Sequence, residues 1–311
     1  MKSNLLLILL VVFISIFAIE SIEDAELPSV GSTFGVAITT IPSRFKDIHH
    51  TIRSWLLQKG GPPLKIVVFV PKSYQRFKTG KGAYRSFLEV CKQMVEEKFA
   101  DEIAQRRIVF IQTKRDYGPL TKFAGLLENW KQLKRETRGI LHWIIGDDDV
   151  YYDDMVMQKY YNYNMQYPDG INSRVLTHFS ETTRIFIRLD EEQARRAVTH
   201  VQGVDTFSLS TALLSHQMAE RKQLFWPKLR RMVRFFHTSC PASFYQDDYL
   251  ISFVFNVANF TVRSLWDDTR VAGHIDGVSK HNHQMHMMDQ VMTRESETQK
   301  CVMMNAKVAA K

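Results

Sequence analysis

Four nearly continuous apolar runs, separated by stretches of helical periodicity, constrain this chain more than any other feature. VAITT (36–40) is followed by a Pro-Ser turn and a stretch over 47–58 in which Ile48, Ile52, Trp55 and Leu56 recur at helical spacing. KIVVFV (65–70) stops at Pro71 and precedes a polar loop and a helical stretch over 86–99. RIVFIQT (107–113) leads through the turn Tyr117-Gly118-Pro119 into a helix over 121–133, and GILHWII (139–145) completes the series. Strands that are apolar at nearly every position are buried on both faces, and their alternation with helices implies parallel pairing through right-handed crossovers. The expectation is an α/β fold: a single domain with a mostly parallel central sheet flanked by helices. The second half reads as a helix over 153–167, strands over 174–178 and 183–189, a strand leading into a helix over 198–209, and a helix over 246–256. A Met-rich polar tail over 286–311 is expected to pack loosely.

In such sheets ligands bind beyond the carboxyl ends of the strands. Pro42 and Arg44, then Arg115 and Asp116, then the acidic triplet Asp147, Asp148 and Asp149 should therefore share one crevice. Three adjacent carboxylates at the end of a buried strand repel one another and are expensive to desolvate unless a cation neutralises them. A divalent ion with oxygen ligands, Mn²⁺ or Mg²⁺, held also by substrate phosphates, is one account; an acidic loop capping the next helix would look the same in sequence. In RDYGPLTK (115–122) a helix start and the Lys122 ammonium suit a diphosphate, while Asp116 suits a nucleobase imide or a ribose hydroxyl. A Gly-Pro turn with solvated charges is the plainer alternative. Asp247 and Asp248 precede an apolar helix, where carboxylates serve as caps or, rigidly aimed, as a general base. His274, His281, His283 and His286 cluster late in the chain, and one of the first three is a candidate to complete the metal site. The basic, aromatic stretch with Arg221, Lys222, Lys228, Arg230, Arg231 and Arg234 reads as a solvated helix face with an apolar back, or as a surface for an anionic acceptor or membrane.

Composition narrows the partners. The 311 residues carry a formal net charge of +8, with 45% hydrophobic and 24% charged side chains, which is the make-up of an ordinary globular chain with an anionic partner. Zinc-finger spacing, RNA-recognition signatures and long Lys/Arg tracts are missing from the sequence, so a phosphorylated small molecule is favoured over nucleic acid. Lys2 precedes an apolar run from Leu5 to Ile19, and Glu20, Glu23, Asp24 and Glu26 follow it. Residues 1–22 thus read as a signal peptide or an uncleaved type II signal anchor, with 23–33 as a short linker, and the domain is expected in the secretory lumen. Cys91, Cys240 and Cys301 allow one disulfide at most, and Asn259-Phe260-Thr261 is a glycosylation sequon consistent with that compartment.

Taken in order, TTIPSR (39–44), YGPLTK (117–122), GDDDVYY (146–152) and FYQDDYLISF (244–253) resemble a family of glycosyltransferases of the GT-A fold related to glycosyltransferase family 2, over about residues 34–285. The resemblance implies that Thr40, Pro42, Arg44, Asp116, Gly118 and Lys122 hold a nucleotide sugar, a UDP- or GDP-sugar, together with Asp147 and Asp148. It implies Mn²⁺ (or Mg²⁺) at Asp147 and Asp149, with His281 as a candidate ligand, and Asp247 or Asp248 as the catalytic base. The acceptor would be a glycan or glycoprotein, the transfer a single inverting displacement, and the compartment the Golgi or endoplasmic reticulum. The chain departs from the family where relatives carry a Gly-rich acceptor-side segment: here stands Gln202-Gly203-Val204-Asp205-Thr206. A non-catalytic lumenal binding protein and a metal-dependent phosphohydrolase are the competing classes.

Overall fold

Alternation within each apolar run decides which layer a side chain joins. The computed structural model describes residues 34–59, 64–75, 86–137, 139–177, 201–215, 225–240, 250–251, 255, 260 and 262–264. The strands are β1 (Phe34–Thr39), β2 (Leu64–Pro71), β3 (Ile108–Thr113), β4 (His142–Ile145), β5 (Ile171–Thr177), β6 (Val201–Ser210) and β7 (Val262–Ser264). The helices are α1 (Ile48–Leu56), α2 (Phe87–Ala104), α3 (Thr121–Glu128), α4 (Trp130–Glu136), α5 (Val156–Gln166) and α6 (Phe225–Ser239), with a 3₁₀ turn at Pro42–Arg44 and a helical turn at Thr211–Leu213. Val36, Ile38, Ile66, Val68, Val70 and Ile144 face one side of the sheet and pack under α1, α2 and α5. Ala37, Val67, Phe69, Trp143 and Ile145 face the other and pack under α3, α4 and α6. Period-two geometry thus sends successive apolar residues into two separate cores, which is why the runs contain no polar face.

The sheet runs β3-β2-β1-β4-β6-β5-β7. β1 pairs in parallel with β2 and β4, β2 with β3, and β5 with β7, whereas β6 is antiparallel to both β4 and β5. The sheet is therefore mostly parallel, as expected, with its direction reversed at β6. All described residues belong to the unit Ser32–Lys311.

Several element bounds differ from the sequence reading. The helix expected over 121–133 is two, α3 and α4, because Asn129 leaves helical geometry (φ −102°, ψ 13°); Gly125 O accepts both its backbone N–H (3.0 Å) and its side-chain Nδ2 (2.9 Å). α2 extends to Ala104 rather than ending at Phe99, although Phe99 itself is non-helical (φ −140°, ψ 42°). β4 is only four residues long, since Ile140 O and Leu141 O accept from the Thr211 hydroxyl and amide (both 2.7 Å) instead of from a neighbouring strand. The strand expected over 183–189, the tail 286–311, the N-terminal segments 1–22 and 23–33, and Asn259 lie outside the described residues. Among the described residues no helix is long and apolar enough to cross a membrane.

Candidate nucleotide-sugar site

The carboxyl ends of β1, β2, β3 and β4 point the same way, and the loops leaving them are tied to one another. After β1 the chain enters the 3₁₀ turn that carries Pro42 and Arg44, with Pro at its start. Tyr74, beyond β2, donates its hydroxyl to Thr40 O (2.8 Å). The backbone N–H of Gln75 donates to Asp116 Oδ2 (2.8 Å), and that of Gly118 to Asp116 Oδ1 (2.9 Å). Asp116 therefore shapes the loop after β3, each of its oxygens already accepting a main-chain donor, and Gly118 supplies the left-handed backbone (φ 62°) that the turn into α3 requires.

Beyond β4 the three aspartates meet two cations. Arg44 Nη1 lies 2.7 Å from Asp148 Oδ1 and Arg44 Nη2 lies 3.0 Å from Asp149 Oδ2. Lys122, buried at the first turn of α3, pairs its ammonium with Asp147 Oδ1. Of the residues predicted for the site, Thr40, Pro42, Arg44, Asp116, Gly118, Lys122 and all three aspartates thus stand on adjacent, interlinked loops. Arg115, on the same loop as Asp116, is exposed. Asp247, Asp248 and His281, with His274, His283 and His286, lie outside the described residues.

Burial sets the electrostatics. It pushes the Asp148 carboxyl above the usual carboxylate range, with Arg44 pulling it down and Asp149 pushing it up. Burial also opposes the charge on Arg44, but Asp148 and Asp149 more than offset it, so the guanidinium pKa lies above its ordinary value. Thr40 is near enough to Asp148 to favour its charged form, yet the geometry falls short of a hydrogen bond: Thr40 Oγ1 and Asp148 Oδ2 are both buried with no hydrogen-bond partner. Three carboxylates against two cations leave one negative charge and one orphaned oxygen. That all-oxygen donor set suits Mg²⁺ or Mn²⁺ in kind. Among the described residues no group of three His, Cys, Asp or Glu side chains could hold a metal ion alone, so an ion here would need ligands from substrate phosphates or from elsewhere in the chain.

The supports of this loop escape a reading based on charge. Thr51 Oγ1, on α1, lies 2.8 Å from Asp148 O and 2.9 Å from Val150 O, sharing one proton between them. Ser54 Oγ accepts from Tyr152 N (3.1 Å), and Tyr152 Oη accepts from Asp147 N (2.8 Å) while sharing a hydrogen bond with Thr206 Oγ1 (3.0 Å). Burial, then the nearby Asp147, hold the Tyr152 phenol well above its ordinary pKa, so it remains a neutral hydrogen-bonding group. A signal was present in the sequence: Thr51 and Ser54 interrupt the buried face that Ile48, Ile52 and Trp55 define.

No family model matches the chain, and no curated protein matches it in sequence. Among solved structures, mouse xyloside xylosyltransferase 1 is similar over 76% of this chain and 85% of its own, at 10% identity and a TM-score of 0.41. S. aureus TarS in complex with UDP-GlcNAc is similar over 78% of this chain, which spans 60% of that one, at 14% identity and a TM-score of 0.42. The mannosyltransferase PcManGT from Pyrobaculum calidifontis, in complex with GDP-Man and Mn²⁺, is similar over 74% of this chain and 71% of its own, at 12% identity and a TM-score of 0.37. These are similarities of outline, and the functional reading rests on the residues of the site.

Proposed function

We propose that the chain is a glycosyltransferase that moves a sugar from a nucleotide-sugar donor to a hydroxyl of a glycan or glycoprotein acceptor. The observation that carries this reading is the convergence, at the carboxyl ends of parallel strands, of Asp147, Asp148 and Asp149 with Arg44 and Lys122. Such a set offers two cations to a diphosphate and carboxylate oxygens to a divalent ion in one place. Arg44 and Lys122 take the diphosphate oxygens, aided by the positive end of α3. Thr40 and Asp116 line the nucleoside side. Asp147 and Asp149 would hold Mn²⁺ or Mg²⁺, with His281 as a further ligand, and the bound ion supplies neutralisation of the charge that develops on the departing nucleoside diphosphate. Asp247 or Asp248 removes the proton from the acceptor hydroxyl as its oxygen bonds to the anomeric carbon and the sugar-phosphate bond breaks, which inverts the configuration.

The lumen of the secretory pathway is the proposed compartment. The apolar run from Leu5 to Ile19 supports it, as does the presence of Cys240 in a disulfide while Cys91 is free, since disulfides persist in oxidising compartments.

One observation favours a second reading. Every carboxylate of the triplet already faces a protein cation, so the site has a neutralising device of its own and could hold a nucleotide without metal, in an enzyme or in a binding protein. Thermal stability against a panel of nucleoside diphosphates and nucleotide sugars, with and without Mn²⁺, separates the two, because ligands of the native state raise the midpoint. A Mn²⁺-dependent rise is expected; a rise independent of Mn²⁺ establishes the second reading, and no rise with any nucleotide overturns both. The anomeric proton of the product, read by NMR, tests inversion.

A further inference from the structure

The loop that carries the acidic triplet alternates in burial beyond the aspartates themselves. Asp148, Val150 and Tyr152 are buried, whereas Asp147 and Asp149 are half-buried and Tyr151 is 40% exposed. Residues 147, 149 and 151 are thus the more exposed positions of this loop, which bends at Asp148 and Asp149. Among the described residues Tyr151 makes no hydrogen bond or ring contact. Its backbone, in contrast, is held on both sides: Val150 O accepts from Thr51, and Tyr152 N donates to Ser54. Tyr152, the next residue, is clamped again through its hydroxyl and through its ring, which packs 4.1 Å from that of Trp55. A free aromatic ring on a fixed backbone beside a charged site loses little conformational entropy when something lies on it, because its anchor is already ordered.

We propose that Tyr151 is the platform on which a pyranose ring of the acceptor stacks, an inference that rests on the transferase reading above. The axial C–H face of a pyranose is apolar and slightly positive, and it matches the negative face of an aromatic ring. The acceptor fits this position better than the donor sugar. Donor phosphates are drawn inward to Lys122 and Arg44, whose side chains are 2% and 14% exposed, whereas Tyr151 stands at the solvent edge, where a second sugar arrives.

The test is saturation-transfer NMR with the full chain and a panel of p-nitrophenyl pyranosides (glucoside, galactoside, mannoside, xyloside and N-acetylglucosaminide), on the wild type, Tyr151→Ala and Tyr151→Phe. The expected result is contact of at least one pyranoside with the wild type, weakened about 3- to 10-fold in Tyr151→Ala and retained in Tyr151→Phe. Equal signals in wild type and Tyr151→Ala, or none in either, overturn the inference. Selective weakening of a nucleotide sugar with the free pyranosides unaffected assigns the ring to the donor and also overturns it. Nucleoside diphosphate binding, followed in the same three proteins by thermal shift, reports separately on the parent reading: it should be unchanged by either substitution, and its absence from the wild type would sink the transferase assignment itself.

Discussion

At the scale of single residues, the five charged groups of the site are unequal in their dependence on one another. Asp148 is deeply buried, and Arg44 is the cation that compensates it, while Asp147 keeps 26% of its side chain in solvent opposite Lys122. Removing one partner of a buried pair is more damaging than removing a partner whose counter-charge can hydrate. Arg44→Ala should therefore destabilise the fold by roughly 3 kcal/mol, and Lys122→Met, which keeps the apolar stem, by roughly 1 kcal/mol. Denaturant titration at neutral pH measures both, and equal losses would contradict this account. The triplet itself was legible in the sequence because three acids after an apolar run have few structural uses. Its pairing was not: Arg44 lies 104 positions from Asp148 and Lys122 lies 25 from Asp147. The strand-end rule brings such loops to one crevice but does not say which charge faces which. Thr51, Ser54 and Tyr152 are uncharged residues that fix carbonyl and amide groups, and main-chain partners leave little trace in side-chain patterning.

At the scale of elements, α3 illustrates how packing reverses a local preference. Replacing glycine with alanine inside a helix ordinarily stabilises it. At Gly125, however, an added Cβ would meet the Phe69 ring at 2.6 Å and Thr113 Cγ2 at 2.9 Å. Phe69 is fully buried in β2 and Thr113 in β3, so neither has room to retreat. Gly125→Ala is expected to destabilise by about 1–3 kcal/mol as an overpacking change. A rise in melting temperature would show that α3 can lift from the sheet. The elements of the first half were readable because the strands are apolar at nearly every position and α1 carries an apolar stripe through Ile48, Ile52 and Trp55. Their ends were less so. Asn129 divides α3 from α4 by leaving helical geometry, and β4 is shortened by the tertiary bonds of Thr211 to residues 140 and 141. Neither effect has a period, so neither shows in a pattern of apolar residues.

For the whole molecule, the clearest environmental sensitivity is to acid. Burial pulls His237, on α6, down to about 4 from an ordinary 6.5, and burial also lowers His142 on β4. Both are neutral when folded at neutral pH. A histidine with a depressed folded pKa leaves the unfolded chain binding the extra proton between the two values, so stability falls as the pH drops from 6.5 toward about 4. For His237 the full effect is roughly 3 kcal/mol. Asp148 acts in the opposite sense, since its raised folded pKa means that protonation in acid relieves a burial penalty. Denaturation followed across this pH window should show the loss, and His237→Gln should flatten it; a variant as acid-sensitive as the wild type would assign the loss to other groups.

The place of β6 in the chain, after β4 with which it pairs, also orders events in time. A ribosome delivers β1, α1, β2, β3 and α3 before β4, and β6, which pairs Leu209 with Trp143, much later. Arg44 and Lys122 are therefore both already part of the chain before the first of the three aspartates is added to it. The carboxylates enter surroundings whose counter-charges already exist, and no stage of synthesis requires the triplet to be made ahead of its neutralising cations. The last piece to arrive among these contacts is Thr206, whose hydroxyl meets that of Tyr152 and joins the antiparallel strand β6 to the loop built before it.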